Sequence, residues 1–396
     1  MNMLDKITPT VRNLPPSGIR KFFDLVNEMK DAISLSVGEP DFVTPWGIRE
    51  AGIFSLEKGH THYSPNAGFL RLREAIALYL QRRLGLKYDA KTQIIVTVGG
   101  SEAIDLAMRS LVGPEDEVII PEPSFVSYKP CAVLAGATVS ALPLEEKDCF
   151  KLTPEKLEKA LTPKSKVLVF SFPNNPTGAV MTRQDMEKIV PIILERDLIV
   201  LADEIYSELN YTNRHVSIAS FPGMQERTVV VNGFSKAYAM TGWRLGYAAT
   251  HPDLLAAMYR IHQYALMCAP TMAQYAGIEA MEYGDAAVEE MVREYNRRRL
   301  VMLKGFREAG LDCFEPTGAF YVFPSIRKTG MNSLDFCERL LKEEKVAVIP
   351  GGAFGESGEG YIRACYAYSI DSINEALRRI KAFVERNGKH RKTGGG

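Results

Sequence analysis

The chain has 396 residues, enough for a sizeable core and more naturally two lobes than one. Lys plus Arg and Asp plus Glu number 48 each, and hydrophobic residues make up 46%. This is a globular composition with no excess positive charge to draw it to a nucleic-acid backbone or an anionic membrane. A small metabolite is the partner this balance favours, and no apolar run approaches a membrane span.

Met1 to Thr10 lacks the continuous apolar core of a secretory signal. A helix is predicted over Ile19 to Met29 and an extended segment over Ile33 to Val37. Residues 1–45 are too few to fold alone and are expected to pack on a second, smaller lobe. From 46 to 285, short β-branched runs alternate with amphipathic stretches. Strands are predicted at Gln93 to Val98, Glu117 to Pro121, Lys166 to Phe170, Leu198 to Ala202, Thr228 to Asn232 and Arg244 to Ala248. Helices fall between them at Leu70 to Arg83, Ser101 to Leu111, Arg183 to Glu195 and Pro252 to Met267, so this large domain reads as α/β with a mostly parallel sheet.

After Glu282 a long charged helix runs through Ala309. It is followed by Ala319 to Phe323, a helix from Ser333 to Glu343, the strand Val346 to Ile349, another near Tyr361 to Tyr366, and a closing helix at Ser372 to Glu385. Residues 286–386 therefore read as a small α+β domain, and the polar, glycine-rich 387–396 as a disordered tail. Six cysteines show no C-x-x-C spacing and read as reduced thiols in a cytoplasmic protein. Six histidines show no ligand spacing, so no metal is expected.

Five segments carry chemistry. Val96-Thr-Val-Gly99-Gly100-Ser101-Glu102 runs from a strand through two glycines into a helix, whose free N–H groups suit a phosphate. It fits neither the dinucleotide nor the nucleoside triphosphate pattern, and an ordinary turn capped by Ser101 also suits it. Asp203, in Ala-Asp-Glu-Ile-Tyr206, stands at the carboxyl end of an apolar strand, where a carboxylate needs a cationic partner; a protonated pyridine nitrogen serves, with magnesium the rival. Asn175, in the Pro-Asn-Asn-Pro-Thr-Gly loop, directs an amide to the same edge. Arg363, in an apolar strand, calls for a carboxylate or a core ion pair. Finally Ser235-Lys236-Ala-Tyr-Ala-Met-Thr-Gly-Trp-Arg244 sets a lysine among small and apolar residues; a dry, partly cationic pocket would turn it into a nucleophilic amine, and a solvated lysine at a helix start is the reading that suits the segment taken alone.

S-K-A-Y-A-M-T-G-W-R-L-G-Y, P-N-N-P-T-G, A-D-E-I-Y, Y-S-P-N-A-G and Y-I-R-A-C-Y-A together resemble the pyridoxal-phosphate-dependent class I aminotransferases of fold type I, from about Ser17 to Glu385. S-G-I-R-K-F near Ser17 and G-A-F-Y-V-F-P at Gly318 are similar to the aromatic aminotransferase and aminotransferase A branch. The resemblance implies that Lys236 is the Schiff-base lysine, that Asp203 pairs with the pyridine nitrogen, and that Tyr206 and Asn175 donate to the phenolic oxygen. Gly100, Ser101 and Glu102, with Ser235 and Arg244, would hold the phosphate. Glu102 would give only its backbone N–H, because its carboxylate would repel that group. Tyr63 would reach the phosphate from the neighbouring subunit of a homodimer, Phe125 would stack on the ring, and Arg363 would clamp the substrate carboxylate beside Gly38 and Asn175.

The expected activity is transfer of an amino group from an L-amino acid to a 2-oxo acid such as 2-oxoglutarate, with ping-pong kinetics. Hydrophobic and aromatic residues around Ile19, Phe125, Tyr264 and Phe320 point to an aromatic or large apolar donor. Aspartate, an N-acyl-diaminopimelate, or carbon–sulfur β-elimination on the same fold are the alternatives. An effector-sensing domain of a transcription regulator would need a DNA-binding module, and none is legible before Ser17.

Overall fold

The computed structural model describes residues 3–16 and 31–388. The predicted helix at Ile19 to Met29 and most of the predicted tail lie outside them. Within the described residues the strands, in chain order, are β1 (Ile33–Ser34), β2 (Ile94–Thr97), β3 (Glu117–Glu122), β4 (Thr138–Pro143), β5 (Ser165–Ser171), β6 (Ile199–Asp203), β7 (Thr228–Gly233), β8 (Gly246–Ala249), β9 (Tyr321–Val322), β10 (Val346–Ala347), β11 (Ile349–Pro350) and β12 (Ile362–Cys365).

Seven of them form one sheet in the order β2-β8-β7-β6-β5-β3-β4. β7, β6, β5, β3 and β4 pair in parallel, and β8 alone runs antiparallel, against both β7 and β2. The predicted α/β class with a mostly parallel sheet is what the chain forms. Every residue of β2, β7 and β8 is buried, as expected of strands covered on both faces and rich in Val, Ile and Ala.

This topology brings functional segments to one edge. The carboxyl ends of β2, β5, β6 and β7 share that edge with the amino end of the antiparallel β8, so the turns after Thr97, Ser171, Asp203 and Gly233 and the turn before Gly246 all open on one crevice. From the other side, β1 pairs in parallel with β10, and β12 lies between β11 and β9. The backbone N–H of Leu35 donates to Ala347 O, and that of Cys365 to Leu35 O, so the segment after β1 runs alongside β12 toward the crevice.

Several elements differ from the sequence expectation. Val346 to Ile349 is not one strand: it breaks at Val348, and its halves join different sheets. The helix predicted from Ser101 starts at Gly99, so Gly100, Ser101 and Glu102 form its first turn. Arg244 is not in β8 but precedes it with φ +53°, in the left-handed region. Asn387 and Gly388, placed in the tail by sequence, close the helix Ile370–Gly388, where the Asn387 side chain bonds Arg339 and the Phe383 carbonyl.

Candidate active site

Lys236 lies just past the end of β7, half-buried, and its Nζ donates to the Gly38 carbonyl at 2.7 Å. The Phe320 ring centroid stands 5.8 Å away. Burial brings the amine down to about 8, and the nearby cations of Arg363 and Arg244 push the same way. An ammonium in this setting surrenders its proton close to neutrality, which an exposed lysine does not.

Asp203 ends β6 and is buried. Burial raises its pKa, and two donors work against that rise: the Tyr128 hydroxyl at 2.7 Å on Oδ2 and the Ile205 backbone N–H at 3.1 Å on Oδ1. The Tyr128 oxygen also lies 2.8 Å from Ser171 Oγ, tying the last residue of β5 into the cluster. Two donors for a buried carboxylate leave capacity for a cationic partner.

The first turn of the helix Gly99–Leu111 is brought close to β8 by glycine. A Cβ on Gly246 would stand 2.5 Å from the Gly99 carbonyl carbon, and Gly99 itself has φ +73°. Arg244 folds over this turn: a Cβ on Gly99 would meet its Nη2 at 2.5 Å. Gly100, Ser101, Ser235 and Arg244 thus ring one end of a cavity of about 320 Å³, with unpaired helix N–H groups at its floor. Glu102 stands apart. Its Oε2 accepts from Val98 N at 2.5 Å and its Oε1 lies 2.5 Å from His262 Nδ1, so the carboxylate turns away from the cavity.

At the opposite end Arg363, only 3% exposed, donates through Nη1 to Asn175 Oδ1 at 3.0 Å and through Nη2 to Ser36 O at 2.5 Å. Its Nε is buried without a partner, an orphaned donor on a buried cation. The guanidinium sits 4.5 Å from the Tyr321 ring centroid and 4.9 Å from that of Phe354. The hydroxyls of Tyr206 and Tyr321 are 2.7 Å apart, and a Cβ on Gly38 would collide with Tyr321 Oη at 2.2 Å. Glycine at position 38 is what lets the backbone pass beside that ring.

Lys236, Asp203, Tyr206, Asn175, Arg363, Gly38, Gly100, Ser101, Phe125, Ser235 and Arg244 all line this one cavity. Glu102 and Tyr63 do not. Tyr63 is 81% exposed, and Tyr264, read from sequence as a pocket residue, is 88% exposed. Ile19 lies outside the described residues. Sequence reasoning missed Tyr128, Ser171, Tyr321 and Thr241. Phe125 precedes the helix that begins at Tyr128, and their rings meet edge to face at 5.6 Å only once the chain turns between them, so no helical spacing flagged Tyr128.

The donor set fits pyridoxal phosphate: an amine for its aldehyde, a buried carboxylate for its ring nitrogen, an anion cradle for its phosphate and a guanidinium with one unspent donor for an incoming carboxylate. Among the described residues no group of three His, Cys, Asp or Glu could hold a metal ion, and no helix is long and apolar enough to cross a membrane.

Comparison with known proteins agrees with this geometry. The model of the aminotransferase class I and II family matches residues 30–380. A Bacillus subtilis protein named putative aminotransferase YugH is 51% identical, over 97% of this chain and 100% of its own. Aromatic-amino-acid aminotransferase 2 of Thermococcus litoralis is 46% identical, over 93% of this chain and 96% of its own. The solved structure of Thermus thermophilus aspartate aminotransferase with maleate, 36% identical, superposes with a TM-score of 0.91 over 95% of this chain and 99% of its own. Other relatives carry the names aspartate and N-acetyl-LL-diaminopimelate aminotransferase.

Proposed function

Because the chain belongs to the class I and II aminotransferases, pyridoxal-phosphate-dependent transaminases of fold type I, we propose that it moves the amino group of an aromatic or large apolar L-amino acid to a 2-oxo acid such as 2-oxoglutarate. When bound, the cofactor supplies an aldehyde carbon to take up the amino group and a ring that spreads the electron pair left by α-proton removal. The chain's residues do the rest. Lys236 takes the α-proton and returns it one position along, a transfer suited to an amine brought to about 8. Asp203, steadied by Tyr128 and Ile205, holds a proton on the ring nitrogen. Arg363 grips the α-carboxylate, with Asn175 and Ser36 fixing the guanidinium and its Nε free to donate. Phe125 covers the ring, and Tyr206 and Asn175 donate to its phenolic oxygen. Gly100, Ser101, Glu102, Ser235 and Arg244 hold the phosphate, Glu102 through its backbone.

The observation that carries this reading is the meeting, in one cavity, of a softened amine, a buried carboxylate and an arginine with an unspent donor. The donor preference rests on Val37, Ile104, Phe125, Ile205 and Tyr321, which give the remaining wall an apolar face. The names of several relatives favour aspartate or N-acetyl-diaminopimelate as the second reading. A panel of donors decides between them, read as single-turnover loss of the cofactor's visible absorbance and its return with 2-oxoglutarate. Tyrosine and phenylalanine are expected to react fastest. Aspartate or the acyl-diaminopimelate ahead of them would replace the aromatic reading, and product from L-cystathionine without amino transfer would replace transamination by β-elimination.

We further propose a homodimer with shared sites. Trp46, Phe54, Tyr63, Tyr264 and Leu266 are exposed on elements that pack side by side, the helix Trp46–Glu57 against Thr271–Tyr283 and the 62–66 loop against the end of Pro252–Ala265. That apolar face suits a second copy, whose site Tyr63 enters. The free thiols support a reducing, cytoplasmic setting.

A further inference from the structure

Glu102 presents a problem for the phosphate cradle: it puts a carboxylate in the first turn of the very helix whose N–H groups would meet a dianion. The structure answers with His262, on the helix Pro252–Ala265 and 0% exposed. One ring nitrogen, Nδ1, lies 2.5 Å from Glu102 Oε1; the other, Nε2, lies 2.8 Å from the Asn66 backbone carbonyl. Val98 N–H donates to the second carboxylate oxygen. A neutral imidazole has one donor and one acceptor, and with Glu102 as a carboxylate both nitrogens face oxygen acceptors, so the ring then needs a proton on each.

We propose that His262 is a positioning residue for the cofactor's phosphate. As a buried imidazolium it neutralises Glu102 beneath the cradle and fastens that helix to the Asn66 carbonyl, three residues beyond Tyr63 in the loop offered to the partner subunit. Without the cation, Glu102 would stand as a bare charge in a low-dielectric site next to a dianion. The inference rests on the reading that the start of the helix Gly99–Leu111 holds the phosphate. Burial alone would lower the His262 pKa; the hydrogen bond and charge of Glu102, the charged group bonded to it, outweigh this and leave it raised. Asn66 adds a neutral acceptor from the loop side.

Two measurements test it. In holoenzyme carrying 15N-labelled histidine, nitrogen shifts at pH 7.5 should show both His262 nitrogens protonated in the wild type and a neutral ring in Glu102→Gln; a neutral ring in the wild type overturns the proposal, whatever the variants do. In dialysis, His262→Gln should hold pyridoxal phosphate about tenfold less tightly, while its affinity for pyridoxal, which lacks the phosphate, changes less than about twofold. Adding Glu102→Gln to His262→Gln should recover most of the loss, because the stranded charge is gone. Equal losses for the two ligands, or no recovery in the double variant, would mean that His262 merely supports the fold. Failure of the underlying reading looks different: wild-type protein would bind pyridoxal no less tightly than pyridoxal phosphate.

Discussion

On the proposed function Lys236 has to be reactive, and the burial that would make it so also strains the cofactor-free protein. Its amine titrates near 8 in the folded chain against 10.5 for an ordinary lysine. Between those values the unfolded chain binds the extra proton, so stability rises with pH across that window and the cost of burying the ammonium is fully present below it. Lys236→Met should therefore stabilise cofactor-free protein at pH 7 by about 1–2 kcal/mol, with the gain gone above about pH 11. It should also lower transamination by at least ~10³-fold. Urea unfolding at the two pH values checks the first effect, and a variant less stable than wild type at pH 7 would sink it. Tyr128→Phe removes one of two donors to the buried Asp203. It should cost about 1–2 kcal/mol of transition-state stabilisation, a five- to thirtyfold fall in kcat/KM, with cofactor still bound; an unchanged rate would remove Tyr128 from the machinery. Lys236, Asp203 and Arg363 were legible because each stands in a setting its side chain avoids without a reason. Tyr128 and Tyr321 were not, since a tyrosine in an apolar segment reads as core. Only the packing of the helix Tyr128–Leu134 on β3 and β4 carries the first hydroxyl to the ends of β5 and β6, onto Ser171 and Asp203.

At the scale of elements, the cradle depends on a close approach of backbones. A Cβ at Gly246 would sit 2.5 Å from the Gly99 carbonyl carbon and 2.6 Å from Gly100 N, both main-chain atoms that no rotamer change can move. At Gly100 the nearest atom is Val231 Cγ1 at 3.6 Å, an ordinary contact. Gly246→Ala should thus destabilise the protein by about 2–4 kcal/mol and displace the start of the helix, while Gly100→Ala should stay within about 1 kcal/mol of wild type. Paired thermal melts would show it, and equal effects at the two positions would contradict the packing argument. The same contrast between local pattern and tertiary context explains what the sequence hid. The helix Thr271–Tyr283 buries Ala273, Gln274, Ala276, Gly277, Ile278, Ala280 and Met281, so it lacks the polar face that makes a helix recognisable. β4, at the sheet edge, buries only Leu142 and so lacks the apolar run of its neighbours. The break at Val348 has no local signature: its β-branched neighbours suit one strand, and only the separate demands of β1 and β12 divide them.

For the whole molecule, two predicted residues stand outside the cavity walls, Glu102 turned to His262 and Tyr63 turned outward. Tyr63 is 81% exposed and absent from the walls of its own chain's site, yet its loop is pinned at Asn66 by His262 and at His62 by Thr271. On the proposed homodimer, this outward tyrosine would serve the other chain. If each site takes Lys236 from one subunit and Tyr63 from the other, the two defects must combine unequally in a mixed dimer. Homodimers of Lys236→Ala should be inactive and those of Tyr63→Ala impaired through weak cofactor retention. In a hybrid of the two, one site carries both lesions and the other carries neither. Random reassortment makes about half the dimers hybrid, so about a quarter of all sites become intact and activity should climb toward that fraction of wild type at limiting cofactor. If Tyr63 instead served its own chain, every hybrid site would keep one lesion and mixing would add nothing. Mixing after reversible dissociation, followed by assay at limiting cofactor, separates these outcomes, and a flat response would return Tyr63 to the surface residues.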